Sequence, residues 1–218
     1  MTKSEDRQSA QRIVEAAVAL AEQRSWESVR LHEVAAHLGI RLDDIRRHFR
    51  EKDELIDAWF DRADDAVLAL ADSGVLTSLS PRERLFELIM AWLGALEHHR
   101  RVTRQMIGNK LEPGHLHIQV PAVMRISRTV QWIREAALLE DAGVRRAFTE
   151  TGVTAIYLAA FVRWLGEDTA GSPRTRGLLD RMLRRAEGLM KLLPIFAGGR
   201  VTPSTTREET RRPPAWTP

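Results

Sequence analysis

The chain contains no cysteine among its 218 residues. That excludes a disulfide framework and any thiolate metal site, and it suits a reducing compartment. Long apolar runs are also missing. The longest uncharged apolar stretch, Val153 to Val162, is well short of the roughly 20 residues that cross a bilayer. The opening MTKSEDRQSAQR lacks the apolar core of a secretory signal, so a cytoplasmic location is expected. No internal repeat and no strand-like alternation of any length occurs. A Gly-rich phosphate loop, a nucleophile elbow and a His-Glu zinc motif are equally absent. Catalysis is therefore not expected, and no cofactor is called for. The adjacent His98 and His99 do not make a metal site, because neighbours in a helix point about 100° apart and no third ligand stands at the right spacing.

Neither sign of charge dominates, since 33 Lys plus Arg stand against 30 Asp plus Glu and the formal net charge is only +3. Its distribution is more informative. Residues 1–62 hold 11 Lys plus Arg against 13 Asp plus Glu, so the basic excess lies in the remainder of the chain. A domain that depended on general attraction to nucleic acid would be basic throughout. Any such contact in the first 62 residues must come from local clustering.

What is present is helix. Leu31, Val34, Ala35 and Leu38 share one helical face, and Gly39 then stops the helix at the position where a left-handed residue is cheapest. Leu42, Ile45 and Phe49 continue an apolar stripe in a second short helix, which makes a helix-turn-helix arrangement. A longer helix opens at Lys52 and carries Leu55, Ile56, Trp59, Phe60, Ala63, Val67 and Leu70 until Asp72, Ser73 and Gly74 break it. Upstream, Ile13, Ala17, Leu20 and Ala21 form the apolar face of a helix over 10–24, with residues 1–9 expected as a frayed arm and Trp26 as a packing aromatic.

The segment IVEAAVALAEQ (Ile13 to Gln23), Trp26, the helix-turn-helix, Phe49, Lys52 and Leu55 resemble the N-terminal domain of the TetR family of bacterial regulators over roughly residues 10 to 60. The resemblance implies an all-α, TetR-like fold. It also implies a homodimer that places the second helix of the motif in the DNA major groove, and a helical body that holds a small ligand. At the start of that second helix the family usually has a small hydroxyl residue, a Gly and a Thr. This chain has Arg41, Leu42, Asp43 and Asp44 there, and Arg46, Arg47 and His48 at the end. Two carboxylates in a first turn suit the helix dipole and do not suit a phosphate backbone. Arginine beside them is the residue best able to read guanine or grip phosphate. The expected DNA contacts are Arg30, Arg41, Arg46, Arg47, His48 and Lys52.

Residues 1–60 form the expected helix-turn-helix domain, 61–196 a helical ligand-binding and dimerisation domain, and 197–218 a disordered tail rich in proline. In the body, Ser80 and Pro81 mark a helix entry. The helix that follows extends to His99, and others are expected over 117–139, 144–166 and 173–195. The helix over 144–166 is apolar on more than one face, as a dimer contact requires. The last helix sets Arg181, Arg184 and Arg185 beside Leu179, Met182 and Leu183. A dimer-forming helix with one solvated side accounts for that pattern, with a weak peripheral membrane contact as the alternative. Trp92, Met106, Met124, Trp132, Tyr157, Phe161 and Trp164 are the candidates to line an apolar ligand site, because aromatics and methionines offer large, adaptable contact area.

Ser127 to Ala137, Val153 to Asp168 and Thr175 to Leu189, with Trp26, bring a second resemblance, over roughly residues 80 to 190. They look like the TetR-fold lipid-binding accessory proteins of coenzyme Q (ubiquinone) biosynthesis. That family implies an isoprenoid or other lipid in the body and a helix-turn-helix that no longer binds DNA. The expected function is a DNA-binding transcriptional regulator controlled by a small apolar ligand. The alternative is a lipid carrier.

Overall fold

The computed structural model describes residues 3–110, 116–139 and 143–192, with side chains for 4–108, 125–139 and 149–192. The tail at 197–218, the side chain of Met124 and the expected helix end at Ile195 lie outside them. The described residues are helical, without a strand: α1 (Lys3–Gln23), α2 (Leu31–Leu38), α3 (Leu42–His48), α4 (Lys52–Asp72), α5 (Pro81–Ala95), α6 (Arg100–Lys110), α7 (Leu116–Ala136), α8 (Gly143–Leu165) and α9 (Pro173–Leu192). No helix among them is long and apolar enough to cross a membrane.

Helices α1 to α3 close on a small core of Ile13, Ala17, Ala21, Trp26, Val34 and Ile45, all essentially sealed from solvent. The turn between α2 and α3 is the one the glycine dictates. Gly39 sits at φ 66°, donating its N–H to the last carbonyls of α2, and Ile40 N–H reaches Ala35 O at 3.0 Å. A side chain at that φ would be strained. Helix α1 corrects the expectation of a frayed arm. It begins at Lys3, with Glu5 and Asp6 in its first turn and an ion pair from Arg7 to Asp65 of α4 at 2.6 Å. Acidic residues at the positive end of a helix and a tertiary partner extend it beyond its apolar face.

Helix α4 packs on α5 and α7 and buries Trp59, Phe60, Ala63 and Val67, with Phe60 stacked on Trp92 of α5 and Trp59 Nε1 donating to the Thr103 hydroxyl of α6 at 3.0 Å. Ser80 caps α5 as the sequence predicts. Its N–H donates to Glu83 Oε2 at 2.9 Å, the Glu83 N–H returns to Ser80 Oγ at 3.4 Å, and Pro81 takes the first turn. The helix expected to run through His99 stops at Ala95, and a tight turn over Glu97–His99 leads into α6, which sequence periodicity does not single out. Among its described side chains only Val102, Thr103 and Met106 are fully sealed, with Arg100 nearly so, a stripe too narrow to stand out. Helix α7 ends earlier than expected because Leu138 adopts φ 55° and turns the chain without a glycine.

A buried carboxylate fixes the end of the body. Glu167, 1% exposed, accepts the N–H groups of Arg174 and Thr175 at 2.8 Å each and the Thr175 hydroxyl at 2.6 Å. Burial pushes its pKa up, but these donors and the charge of Arg163 outweigh that and hold it below the usual range. It thereby satisfies the open N-terminus of α9. Arg100, also buried, joins the same corner by donating to Ser172 Oγ at 2.6 Å and Glu97 Oε1 at 3.1 Å while lying over the Trp164 ring.

Candidate nucleic-acid interface and ligand cavity

The two carboxylates at the start of α3 have local work to do. Asp44 accepts the Arg41 backbone N–H at 3.0 Å, which caps the helix. Its other oxygen lies 3.0 Å from Arg47, and Asp43 lies 3.2 Å from the same guanidinium. Both acids therefore sit on the helix with Arg47 between them, and that cation is largely neutralised in place. All three side chains stay well solvated, so these pairs are weak and exchangeable.

The other candidates divide by what holds them. His48 is 9% exposed at its side chain and faces Asp6 of α1 at 3.4 Å. Lys52 donates to the carbonyls of Trp26 and Glu27 and lies over the Trp26 ring, so it fastens the turn after α1 to the start of α4. Burial and the nearby Arg30 lower its pKa. Arg30 donates to the Glu27 carbonyl at 2.8 Å. Only Arg41 and Arg46 of the six are exposed with side chains that make no hydrogen bond or ion pair among the described residues, and Arg50, just past the helix, has the same freedom. The α3 face thus presents two unpaired guanidiniums at its ends and one neutralised cation beside two acids.

The second feature is a cavity of about 140 Å³ where α4 to α8 meet. Phe60, Trp92, Met106, Ile126, Tyr157 and Phe161 supply most of its wall, with Asp57, Arg125 and Thr129 at the edge. The aromatic rings brace one another: Tyr157 and Phe161 each meet Trp92 edge to face with centroids 5.3 Å apart, and Phe60 stacks on Trp92 at 5.9 Å. That geometry is favourable and keeps the wall rigid.

Behind the rings lies Asp64, 8% exposed. Its Oδ1 accepts from Trp92 Nε1 at 2.8 Å and from the Thr129 hydroxyl at 2.9 Å, and Oδ2 is 3.5 Å from Arg125. Burial raises its pKa, and those two hydrogen bonds together with Arg125 act in the opposite direction. Arg125 also pairs with Asp61 at 2.9 Å. Arg125 and Thr129 of the lining are therefore engaged by Asp61 and Asp64, whereas the Tyr157 hydroxyl makes no hydrogen bond among the described residues.

Four of the seven expected ligand residues, Trp92, Met106, Tyr157 and Phe161, converge on this cavity. Trp164 does not reach it. It is fully buried one turn beyond, stacked on Phe161 and covered by Arg100. Trp132 is 45% exposed and borders a separate surface groove of about 400 Å³ between α1, α4 and α7. Phe60, Ile126 and Thr129 also line the cavity without having been singled out. Phe60 and Ile126 carried a signal, their place on helical apolar faces, but it is shared with every core residue.

The two features are physically joined through α6. Met106 and Ile107 face the cavity. One turn earlier Arg101 holds Glu22 at the end of α1, through its carboxylate at 2.9 Å and its backbone carbonyl. Gln105 accepts the Trp26 backbone N–H at 2.8 Å. His99, packed on Trp59, is 3.3 Å from the same Glu22.

Comparison with known proteins places this architecture. A family profile described as "Bacterial regulatory proteins, tetR family" matches residues 13–59. The chain is similar to the crystal structure of a TetR transcriptional regulator from Nitrosomonas europaea, with 51% sequence identity and a TM-score of 0.74, over 82% of this chain and 98% of that one. A TetR transcriptional regulator from Rhodococcus shares the fold at 20% identity and a TM-score of 0.62, over 84% and 97% of the two chains. A search of curated proteins finds no match.

Proposed function

Because the chain belongs to the TetR family of transcriptional regulators, we propose that its hold on DNA is set by a small apolar ligand in the cavity beside Trp92 and Tyr157. The observation that carries this reading is α6, which contributes Met106 and Ile107 to the cavity wall and Arg101 and Gln105 to the end of α1. A molecule that enters the cavity displaces α6, and α6 cannot move without straining its bonds to the reading domain. Ligand binding and DNA binding then favour different positions of the same helix, and the coupling is reciprocal.

DNA contact is assigned to Arg41 and Arg46, with Arg47 available once a phosphate competes with its two carboxylates. His48, Lys52 and Arg30 act by holding α3 and the turn before α2 in place. The protein acts as a homodimer in the cytoplasm, by binding and not by catalysis. Exposed Val162 on α8 and Leu189 and Leu192 on α9 supply apolar surface for the second copy. Leu183, by contrast, is 3% exposed within its own protomer, so a charge placed there would disturb the fold before it disturbed a dimer. The lipid-carrier reading is not favoured. The chain is instead 51% identical to a TetR transcriptional regulator over most of both chains, and the part of the cavity lined by described residues, about 140 Å³, suits a single ring.

Cutting the α6 tie tests the coupling without any ligand. The double variant Arg101→Ala, Gln105→Ala changes no residue of α2 or α3, yet it is expected to alter the DNA affinity of the free protein by about fivefold or more, the lower end of ordinary allosteric coupling. Fluorescence anisotropy on a labelled operator reads this directly. An affinity identical to the parent's would separate α6 from DNA binding.

A further inference from the structure

Tyr157 is the only tyrosine in the sequence, and it is 3% exposed. Its ring is packed on Trp92 and Phe161, and it lines the cavity. Its hydroxyl makes no hydrogen bond among the described residues, although Asp64 nearby accepts from both Trp92 and Thr129. The hydroxyl oxygen is not among the sealed, unpartnered side-chain atoms of the described residues, so it opens on the cavity, where a ligand can take its O–H. Burial, with the negative charge of Asp64 behind it, pushes the Tyr157 pKa well up, so the group stays an O–H donor at any physiological pH.

We infer that the cavity accepts a neutral, single-ring aromatic molecule carrying one hydrogen-bond acceptor, which takes the Tyr157 O–H. This rests on the cavity being the regulatory ligand site. Three features fix the class. The volume, about 140 Å³, matches one ring with a short substituent. The wall of Phe60, Trp92, Tyr157 and Phe161 favours a planar apolar body through stacked and edge contacts. Arg125 is already paired with Asp61 and Asp64 and Asp57 also lines the cavity, so a carboxylate on the ligand would be desolvated without a free counter-ion, while an ammonium would bring no acceptor for the Tyr157 O–H. A ketone, aldehyde, ether or ester oxygen needs only the one donor that the site leaves open.

The test compares acetophenone with ethylbenzene, which has a similar shape and lacks the acceptor, and with octanoate as a charged chain. Binding to the full-length protein is measured by calorimetry for the parent and for Tyr157→Phe. The parent should bind acetophenone on the order of tenfold more tightly than ethylbenzene, the effect of one buried hydrogen bond. Tyr157→Phe should erase that difference while leaving ethylbenzene unchanged. Its ligand-free melting temperature should be equal or higher, since the hydroxyl removed has no protein partner; a lower one would make the hydroxyl structural and overturn the assignment. So would a parent that binds both aromatics equally, or octanoate best. If acetophenone binds as stated but DNA affinity does not respond, the ligand class stands and ligand control of DNA binding falls. If no probe binds while DNA binding is intact, this inference fails and the regulator remains.

Discussion

Arg46→Ala is expected to weaken operator binding by roughly 10- to 100-fold, whereas Arg47→Ala should cost only a few-fold. A single guanidinium reading a base edge or gripping phosphate is worth about 1–3 kcal/mol. Arg46 is exposed and unpaired among the described residues, so that full interaction is available to it. Arg47 begins between Asp43 and Asp44, at 3.2 Å and 3.0 Å, and must leave both to reach DNA. The two substitutions together should abolish specific binding with the circular dichroism spectrum unchanged. Asp43→Asn should act in the opposite sense, because it removes a negative charge from the reading helix and leaves Arg47 held by Asp44 alone, at 3.0 Å. Asp44 is a poorer choice for that experiment, since its carboxylate also caps α3 at the Arg41 N–H. Operator affinity indifferent to Arg46 would mean that α3 is not the reading helix.

Asp64→Ala should cost about 3–5 kcal/mol of stability, the usual result of breaking one side of a buried charged pair. The carboxylate is the common acceptor for Trp92 Nε1 and the Thr129 hydroxyl and lies against Arg125. Removing it orphans two buried donors, and each such group costs about 1–3 kcal/mol. Asp64→Asn keeps an amide oxygen for those donors and loses only the charge facing Arg125, which Asp61 still partners at 2.9 Å. It should cost less than half as much. Urea midpoints at one fixed protein concentration compare the three proteins. Equal losses for Ala and Asn would show that charge, and not the acceptor shared by α5 and α7, holds this part of the body.

The sequence shows some of this plainly, and the reasons for the gaps are physical. The α2 to α3 turn is legible because Gly39 stands where only a left-handed residue serves, and the α5 entry because Ser80, Pro81 and Glu83 form a local capping box. Asp43 and Arg47 stand four apart on one helix, so their pairing was also readable from spacing. Lys52 and Trp26 are not, since the bond between them joins residues far apart in the chain and depends on how α1 meets α4. Helix α6 escapes notice because most of its residues are charged or polar and only a thin stripe is buried. The apolar period that locates Trp92 and Tyr157 marks Trp132 and Trp164 equally well. Only the packing of α7 and α8 decides that Trp132 turns outward and that Trp164 falls beneath Arg100.

Binding of specific DNA by α3 is measured by anisotropy of the purified protein on labelled DNA spanning its own coding region, against an unrelated duplex, at two salt concentrations. Specific binding that weakens steeply with salt is expected, since each phosphate neutralised by Arg41, Arg46 or Arg50 contributes about −0.9 to the slope of log K against log salt. Equal affinity for both duplexes, or no binding at the lower salt, would contradict it.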